Sequence, residues 1–72
     1  MAMDRISVGS SNIRSIGYEA SSLTLEVEFK SGSVYQYMGV PKNEYEALVN
    51  AASIGRHLNS NIKGRYPYIE VR

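Results

Sequence analysis

Apolar and polar residues alternate along residues 23–30, and this segment carries the clearest structural signal in the chain. Every second position is apolar, namely Leu23, Leu25, Val27 and Phe29. A period of two is typical of a β-strand with one buried face, whereas a helix would scatter these side chains around its axis. We therefore predict a half-buried strand over residues 23–30.

Two further strands are predicted, one on each side of this segment. Residues 12–19 form the first strand, with Arg14, Ile16 and Tyr18 expected on one face, and residues 34–38 form the third. The segments between the strands are short and contain serine and glycine, which favour tight turns. The pattern indicates an antiparallel β-meander that needs a cover on its apolar face.

The turn after the second strand decides which face carries Tyr35 and Tyr37. A two-residue turn over 31–32 places both tyrosines on the polar side of the sheet. A three-residue turn over 31–33 places Tyr35 opposite Phe29, and both tyrosines then lie in the core. Because a slip of one residue exchanges the two faces of a strand, the sequence leaves both alternatives open.

Helical spacing replaces the alternation after Pro41, which fits the first helical position because it has no amide hydrogen to leave unpaired. The apolar stripe of the first helix follows the i, i+3, i+4, i+7 pattern and consists of Tyr45, Leu48, Val49 and Ala52. A second, shorter helix is predicted between a capping Ser53 and a terminating Gly64. Its inner side is formed by Ile54, Leu58 and Ile62.

The predicted order β-β-β-α-α is that of an α+β domain, with a three-stranded antiparallel meander followed by two helices on one face. Residues 65–72 are extended before Pro67 and are compatible with a short additional strand. Residues 1–6 are expected to form an irregular lead-in to a core of about 7–69. The 72 residues make one domain. The lead-in has no long apolar run, so we expect neither a signal peptide nor a membrane-spanning helix, and a cytoplasmic protein.

Charge is distributed unevenly, although the whole chain carries only +1. Residues 1–55 hold four basic and six acidic side chains, a net −2, whereas residues 56–72 hold four basic and one acidic, a net +3. A local positive surplus is typical of surfaces that bind anions. The C-terminal part therefore contains the candidate anion-binding face.

Composition argues against an enzyme. The chain has no cysteine, which excludes disulfides, thiolate zinc sites and thiol nucleophiles. His57 is the only histidine and has no acidic neighbour in sequence, while Glu26 and Glu28 are explained as the solvent side of a strand. No glycine-rich phosphate loop, nucleophile elbow or metal-ligand spacing is present. We expect a binding module without catalytic residues, cofactor or metal.

The second predicted helix carries a polar face that suits a phosphate-containing ligand. Its residues are spaced at i, i+3 or i+4, and i+7, and they are Arg56, Asn59 or Ser60, and Lys63. Arg65 and Tyr66 follow directly. Arginine and lysine donate to phosphate, and asparagine can contact a base edge. The alternative is an ordinary solvated helix face.

Tyr35 and Tyr37 are candidates for stacking on bases, since side chains two residues apart on a strand share a face. Tyr66 and Tyr68 flank Pro67 and are further candidates. The alternative for Tyr35 and Tyr37 is a structural role in the core.

Three motifs in this order resemble the KTSC domain family: Tyr35-Gln36-Tyr37, then Gly39-Val40-Pro41, and the terminal segment from Asn61 to Tyr68 with Gly-Arg-Tyr-Pro-Tyr at its end. The resemblance covers residues 7–69. The chain is also similar to stand-alone bacterial and phage proteins of this family. The family takes its name from a domain at the C-terminus of some lysyl-tRNA synthetases. Its function is uncharacterised, and the synthetase context implies RNA binding as an expectation.

RNA is therefore the first ligand we expect, followed by another nucleotide or phosphate compound. The alternative is a protein–protein interaction or a homo-oligomer that uses a sheet edge or the aromatic tail. In one version of this alternative, the chain is a phage-related accessory protein. It would sequester a small nucleotide in a site shared between subunits.

Overall fold

A computed structural model describes residues 5–72, in which the strands lie in sequence order across one antiparallel sheet. The strands are β1 (Arg5–Ser7), β2 (Ile13–Glu19), β3 (Thr24–Phe29), β4 (Val34–Tyr37) and β5 (Tyr68–Glu70). The helices are α1 (Lys42–Val49) and α2 (Ile54–His57), and α2 continues into a π-helical turn, Leu58–Ile62. The predicted α+β class is confirmed. No helix within residues 5–72 is long and apolar enough to cross a membrane.

The sheet has five strands, so the predicted number of three was wrong. β1 lies in the segment expected to be irregular and pairs antiparallel with β2. A three-residue strand is too short to show an alternating pattern, and it forms because β2 offers unpaired backbone groups along its edge. β5 is the short additional strand that was considered for residues 65–72, and it pairs with β4. The rest of the predicted lead-in, residues 1–4, lies outside the described residues.

The turn between β3 and β4 differs from both predicted turns. It spans residues 30–32, and the N–H of Gly32 donates to the carbonyl of Phe29 at 2.9 Å. Gly32 has a φ of +101°, which glycine adopts without steric cost. The register pairs Val27 with Tyr35 and Leu25 with Tyr37. Both tyrosines therefore lie on the apolar face, as the three-residue alternative predicted, but each is opposite a different residue.

A β-bulge in β2 changes which of its residues face the core. The pairing with β3 shifts between Ile13 and Ser15, and Arg14 is left without a partner. Ile13 and Ile16 are both fully buried, whereas Arg14 is exposed. The expectation that Arg14 and Ile16 share a face was wrong, because the extra residue interrupts the alternation.

The core lies between one face of the sheet and the helices. Its buried members are Ile13, Ile16, Leu25, Val27, Tyr37, Val40, Leu48, Leu58 and Ile62. Burial of each large apolar side chain contributes about 1.5–3 kcal/mol. Tyr45 and Val49 pack against this core as predicted, but α1 ends before Ala52, which is exposed.

Tyr18 fixes the start of α1 on the sheet. Its ring stacks on Tyr45 with centroids 4.9 Å apart, and its hydroxyl donates to the carbonyl of Val40 at 2.6 Å. The N–H of Val40 in turn donates to the carbonyl of Leu23 at 2.9 Å. Pro41 directly precedes α1, one position earlier than predicted.

The ends of the second helical segment follow the sequence signals. The hydroxyl of Ser53 accepts the N–H of Arg56 at 3.4 Å, as expected for the cap of α2. The π-helical turn ends at Ile62, and Gly64 follows with a φ of +83°. This left-handed conformation lets the chain turn back toward the sheet.

Candidate functional site

Three aromatic rings and one cation form a surface at the β4–β5 edge of the sheet, which we call the aromatic patch: Phe29, Tyr35, Tyr68 and Lys63. Phe29 and Tyr35 meet edge to face with centroids 5.6 Å apart, and Tyr35 and Tyr68 are 5.5 Å apart. The Nζ atom of Lys63 lies 5.5 Å from the centroid of Phe29, within cation–π range. Tyr68 is 57% exposed, and Phe29 and Tyr35 are half-buried. The patch thus offers ring surface beside a positive charge.

Strand register and the end of the helix bring this patch together. Tyr68 pairs with Tyr37 across β4–β5, so its ring falls beside Tyr35 on the same face. The carbonyl of Pro67 accepts the N–H of Met38 at 2.8 Å and holds β5 against the end of β4. Lys63 is the first residue after the π-helical turn and has an extended backbone, so it leaves the helix axis.

Tyr37 lies beneath the patch and is not part of its surface. It is only 1% exposed, and its ring centroid is 5.7 Å from that of Tyr68. Burial, with smaller contributions from Tyr35 and Tyr68, raises the pKa of Tyr37 to about 12. Of the predicted tyrosine pair, Tyr35 reaches the surface and Tyr37 belongs to the core, so Tyr37 presents no ring face to a ligand.

Glu44 of α1 gathers several polar residues of the C-terminal part. Its Oε2 lies 3.7 Å from Nη1 of Arg65 and accepts the Tyr66 hydroxyl at 3.4 Å. Its Oε1 lies 3.8 Å from Nε2 of His57, and this nitrogen atom is buried without a hydrogen-bond partner among the described residues. Arg65 and Tyr66, both predicted to bind a ligand, are thus directed toward a carboxylate of the same chain. No local sequence pattern predicts this cluster, because Glu44 is far from its partners along the chain.

A polar hollow lies between the loop after β1 and the start of α2, and we call it the serine cleft. Its volume is about 560 Å³, and it is lined by Gly9, Ser10, Ser11, Asn12, Ala52, Ser53, Ile54, Gly55, Arg56 and Asn59. None of the described residues in this lining is acidic. Arg56 and Asn59 are the two predicted ligand-binding residues that the fold brings here.

The loop side of the serine cleft is held by its own hydrogen bonds. The Ser10 hydroxyl donates to Oδ1 of Asn12 at 3.2 Å and accepts the N–H groups of Asn12 and Ile13, each at 3.4 Å. A Cβ on Gly55 would lie 3.0 Å from Oδ1 of Asn12, so glycine permits the close approach of loop and helix. These loop residues were not predicted to belong to a site, and Asn12 was expected to lie in the first strand.

The predicted basic face is therefore divided. Arg56 lines the serine cleft, Lys63 belongs to the aromatic patch, and Arg65 contacts Glu44. Because of the π-helical turn and the chain reversal at Gly64, these three cations lie in different places. A regular helix would have kept Arg56 and Lys63 on one face.

The opposite face of the sheet carries an ion-pair network. Arg5 donates to Glu26 at 2.8 Å across Gly17, which lies between them in the register and has no side chain in the way. Glu28 accepts from the Ser15 hydroxyl at 2.9 Å and from Arg72 at 2.8 Å. No group of three or more potential metal-binding side chains occurs within residues 5–72. These carboxylates are engaged in holding strands together.

The hydrogen bond from Ser15 holds the pKa of Glu28 below its ordinary value of 4.5. The guanidinium groups of Arg5, Arg72 and Arg14 act in the same direction, while burial opposes them.

Comparison with known proteins agrees with the motifs. An uncharacterized protein of Stutzerimonas stutzeri is 44% identical over 64 residues, which are 89% of this chain and 90% of that protein. A lysine–tRNA ligase of Nostoc punctiforme is 47% identical over 56 residues, 78% of this chain but only 10% of the ligase. A crystal structure of a KTSC domain protein from Yersinia pestis is 39% identical, with a TM-score of 0.92 over 99% of this chain and 100% of that one. The family model of the KTSC domain matches residues 9–66. The chain belongs to the KTSC domain family, and the resemblance predicted from its motifs is confirmed.

Proposed function

We propose that this protein is a non-enzymatic module that binds single-stranded RNA on the aromatic patch. The observation that carries the proposal is the run of contacting rings Phe29, Tyr35 and Tyr68 with Lys63 beside it. Bases stack on exposed aromatic side chains, and a neighbouring cation contacts the backbone phosphate. The lysine–tRNA ligase of Nostoc punctiforme carries a similar segment, and its name supports RNA as the ligand.

The expected binding is weak and only mildly dependent on salt. Each stacked base contributes about 1–3 kcal/mol, and Tyr68 presents the largest exposed ring surface. With Lys63 as the one phosphate contact, a fourfold rise in salt weakens binding roughly threefold. If Arg56 and Arg65 also contacted the same strand, the loss would be roughly 20-fold. The salt slope therefore distinguishes binding on the patch from binding along the whole basic segment.

Glu70 gives the proposal a sharper test. It pairs with Tyr35 across β4–β5 and is exposed at the border of the patch. A carboxylate at this position repels phosphate. We expect Glu70→Gln to strengthen RNA binding and Lys63→Gln to weaken it.

The experiment is an NMR titration of the labelled protein with a short single-stranded RNA at low salt. We expect shifts at the patch and about tenfold weaker binding for Tyr68→Ala. Ile69→Ala is the matched control, because Ile69 is 52% exposed on the same strand and pairs with Gln36 on the opposite face. Equal binding by Tyr68→Ala and the unchanged protein would contradict the proposal.

Self-association through β5 is the second candidate function. The observation that favours it is the exposure of Ile69 and Val71, 52% and 46%, on a strand at the edge of the sheet. Such an edge can pair with that of a second copy. Sedimentation should then show a concentration-dependent mass that salt leaves unchanged and that Ile69→Lys abolishes, while a constant monomer mass would exclude it.

A further inference from the structure

The serine cleft has the features of a binding site and is separate from the aromatic patch. It is concave, its volume is about 560 Å³, and Arg56 and Asn59 project from its helical side. A second hollow of about 290 Å³ adjoins it and shares Ala52, Ser53 and Arg56. Arg56 therefore stands at the junction of two hollows.

Arg56 has no partner of its own within residues 5–72. Its guanidinium makes no hydrogen bond or ion pair there, in contrast to Arg5, Arg65 and Arg72, which all contact carboxylates. Among residues 5–72, no acidic residue lines either hollow. The guanidinium of Arg56 is therefore available to an anionic ligand.

The remaining lining supplies neutral hydrogen-bond donors. Ser11 and Ser53 bring hydroxyls, and Asn12 and Asn59 bring amides, whereas the hydroxyl of Ser10 already donates to Asn12. The backbone N–H groups of 9–11 make no hydrogen bond to another described residue. A planar guanidinium suits an oxyanion bidentately, and surrounding hydroxyl and amide donors suit one with three terminal oxygens.

We propose that the serine cleft binds a phosphate monoester, with Arg56 contacting the phosphate group and the Ser11 hydroxyl and the backbone N–H groups of residues 10–11 donating to its oxygens. The size of the cleft accommodates a mononucleotide. The phosphate has two sources, a free mononucleotide or the terminal phosphate of an RNA strand. The inference does not rest on RNA binding at the aromatic patch, because the two surfaces share no residue.

The first test uses inorganic phosphate, which has no base to stack on the patch. At millimolar phosphate and low salt, amide shifts are expected at Ser10, Ser11, Gly55 and Arg56. Arg56→Gln should weaken this binding about tenfold, the scale of a lost charge-assisted interaction. Lys42→Gln, an exposed cation at the start of α1, is the matched control and should bind as the unchanged protein does.

A second variant guards against indirect effects of changing the helix. Ser11 is exposed in the loop, so Ser11→Asp introduces a carboxylate into the lining without burying it. It should abolish the phosphate shifts while the remaining spectrum stays unchanged. An unchanged response of Arg56→Gln or Ser11→Asp to phosphate would overturn the proposal, as would an equal response of the protein to acetate.

Two further comparisons identify the source of the phosphate. Tighter binding of adenosine monophosphate than of phosphate, retained in Tyr68→Ala, supports a free mononucleotide. A preference for 5′-phosphorylated over 5′-hydroxyl RNA, lost in Arg56→Gln, supports a strand end. If Tyr68→Ala loses RNA binding but keeps the phosphate shifts, the two surfaces bind independently. Either proposal can then fail while the other stands.

Discussion

The tyrosines of this protein lie in distinct environments, which differ in burial and in contacts. Tyr18 stacks on Tyr45 and donates a hydrogen bond to the carbonyl of Val40 just before α1, Tyr37 is buried in the core, and Tyr68 is mostly exposed. Tyr35 lies between these extremes, in contact with Phe29 and Tyr68. The exposure of each tyrosine ring depends on the residues that pack beside it, and this exposure determines which ring can reach a ligand.

The burial of Tyr37 predicts a specific alkaline instability. Its pKa is raised from 10.0 to about 12, so the folded protein keeps its proton after the unfolded chain has lost it. This stabilisation is fully present below pH 10 and is lost as the pH rises through about 12. We expect Tyr37→Phe to show a smaller fall in the free energy of unfolding over this range, measured by urea unfolding.

Similar stability of the two proteins near neutral pH is the control for this measurement, since phenylalanine keeps the buried ring. Superimposable alkaline profiles would show that Tyr37 does not titrate as the structure predicts.

At the scale of elements, the end of the second helical segment decides where the basic residues point. Its last turn is π-helical and is followed by the reversal at Gly64. Lys63 consequently reaches Phe29 on β3, and Arg65 reaches Glu44 on α1. The same segment thus joins the sheet to the first helix.

This reversal predicts the effect of a methyl group at Gly64. Gly64 has a φ of +83°, where a Cβ is crowded by the local backbone, although no heavy atom of the described chain beyond residues 63–65 lies within 4 Å of that position. Gly64→Ala should lower the free energy of unfolding by about 1 kcal/mol. Gly9→Ala is the matched control, because Gly9 is also in open space but has no positive φ. Equal effects of both changes in urea unfolding would contradict this account.

At the scale of the whole molecule, the ion-pair network ties the two ends of the described chain to the centre of the sheet. Arg5 from β1 and Arg72 from the tail both contact carboxylates of β3. The N–H of Val34 also donates to the carbonyl of Arg72 at 2.8 Å. Loss of this network should loosen both edges of the sheet together.

Acid should therefore destabilise the molecule through Glu28. The hydrogen bond from Ser15 holds its pKa below 4.5, so its contribution is present above that value and is lost as the pH falls through the lowered pKa. We expect Glu28→Gln to be less stable at neutral pH and to lose less stability on acidification. Glu46→Gln, an exposed change on α1, is the matched control and should keep the acid slope of the unchanged protein.

The local pattern was sufficient to predict the central strands, both helices and their buried stripes, apart from Ala52, which is exposed. Alternation over β3 and the spacing of Leu48, Leu58 and Ile62 depend on which side of an element a residue occupies, and this is written in the sequence. The signals of Ser53 and Gly64 are equally local, because a cap and a left-handed turn involve only neighbouring residues. The family was also determined at this level, from motifs that span most of the chain.

Pairing between distant segments was decided only by the tertiary structure. β1 forms because it pairs with the edge of β2, and the bulge in β2 exposes Arg14. The turn 30–32 sets the register that pairs Tyr35 with Val27. The serine cleft and the Glu44 cluster each join segments far apart in sequence, so no local pattern marks them. The sequence thus determined which side chains are available, whereas the strand register and the end of the helix decided which of them meet. Such contacts depend on the mutual placement of whole elements in space, a relation that residue spacing within a single element does not contain.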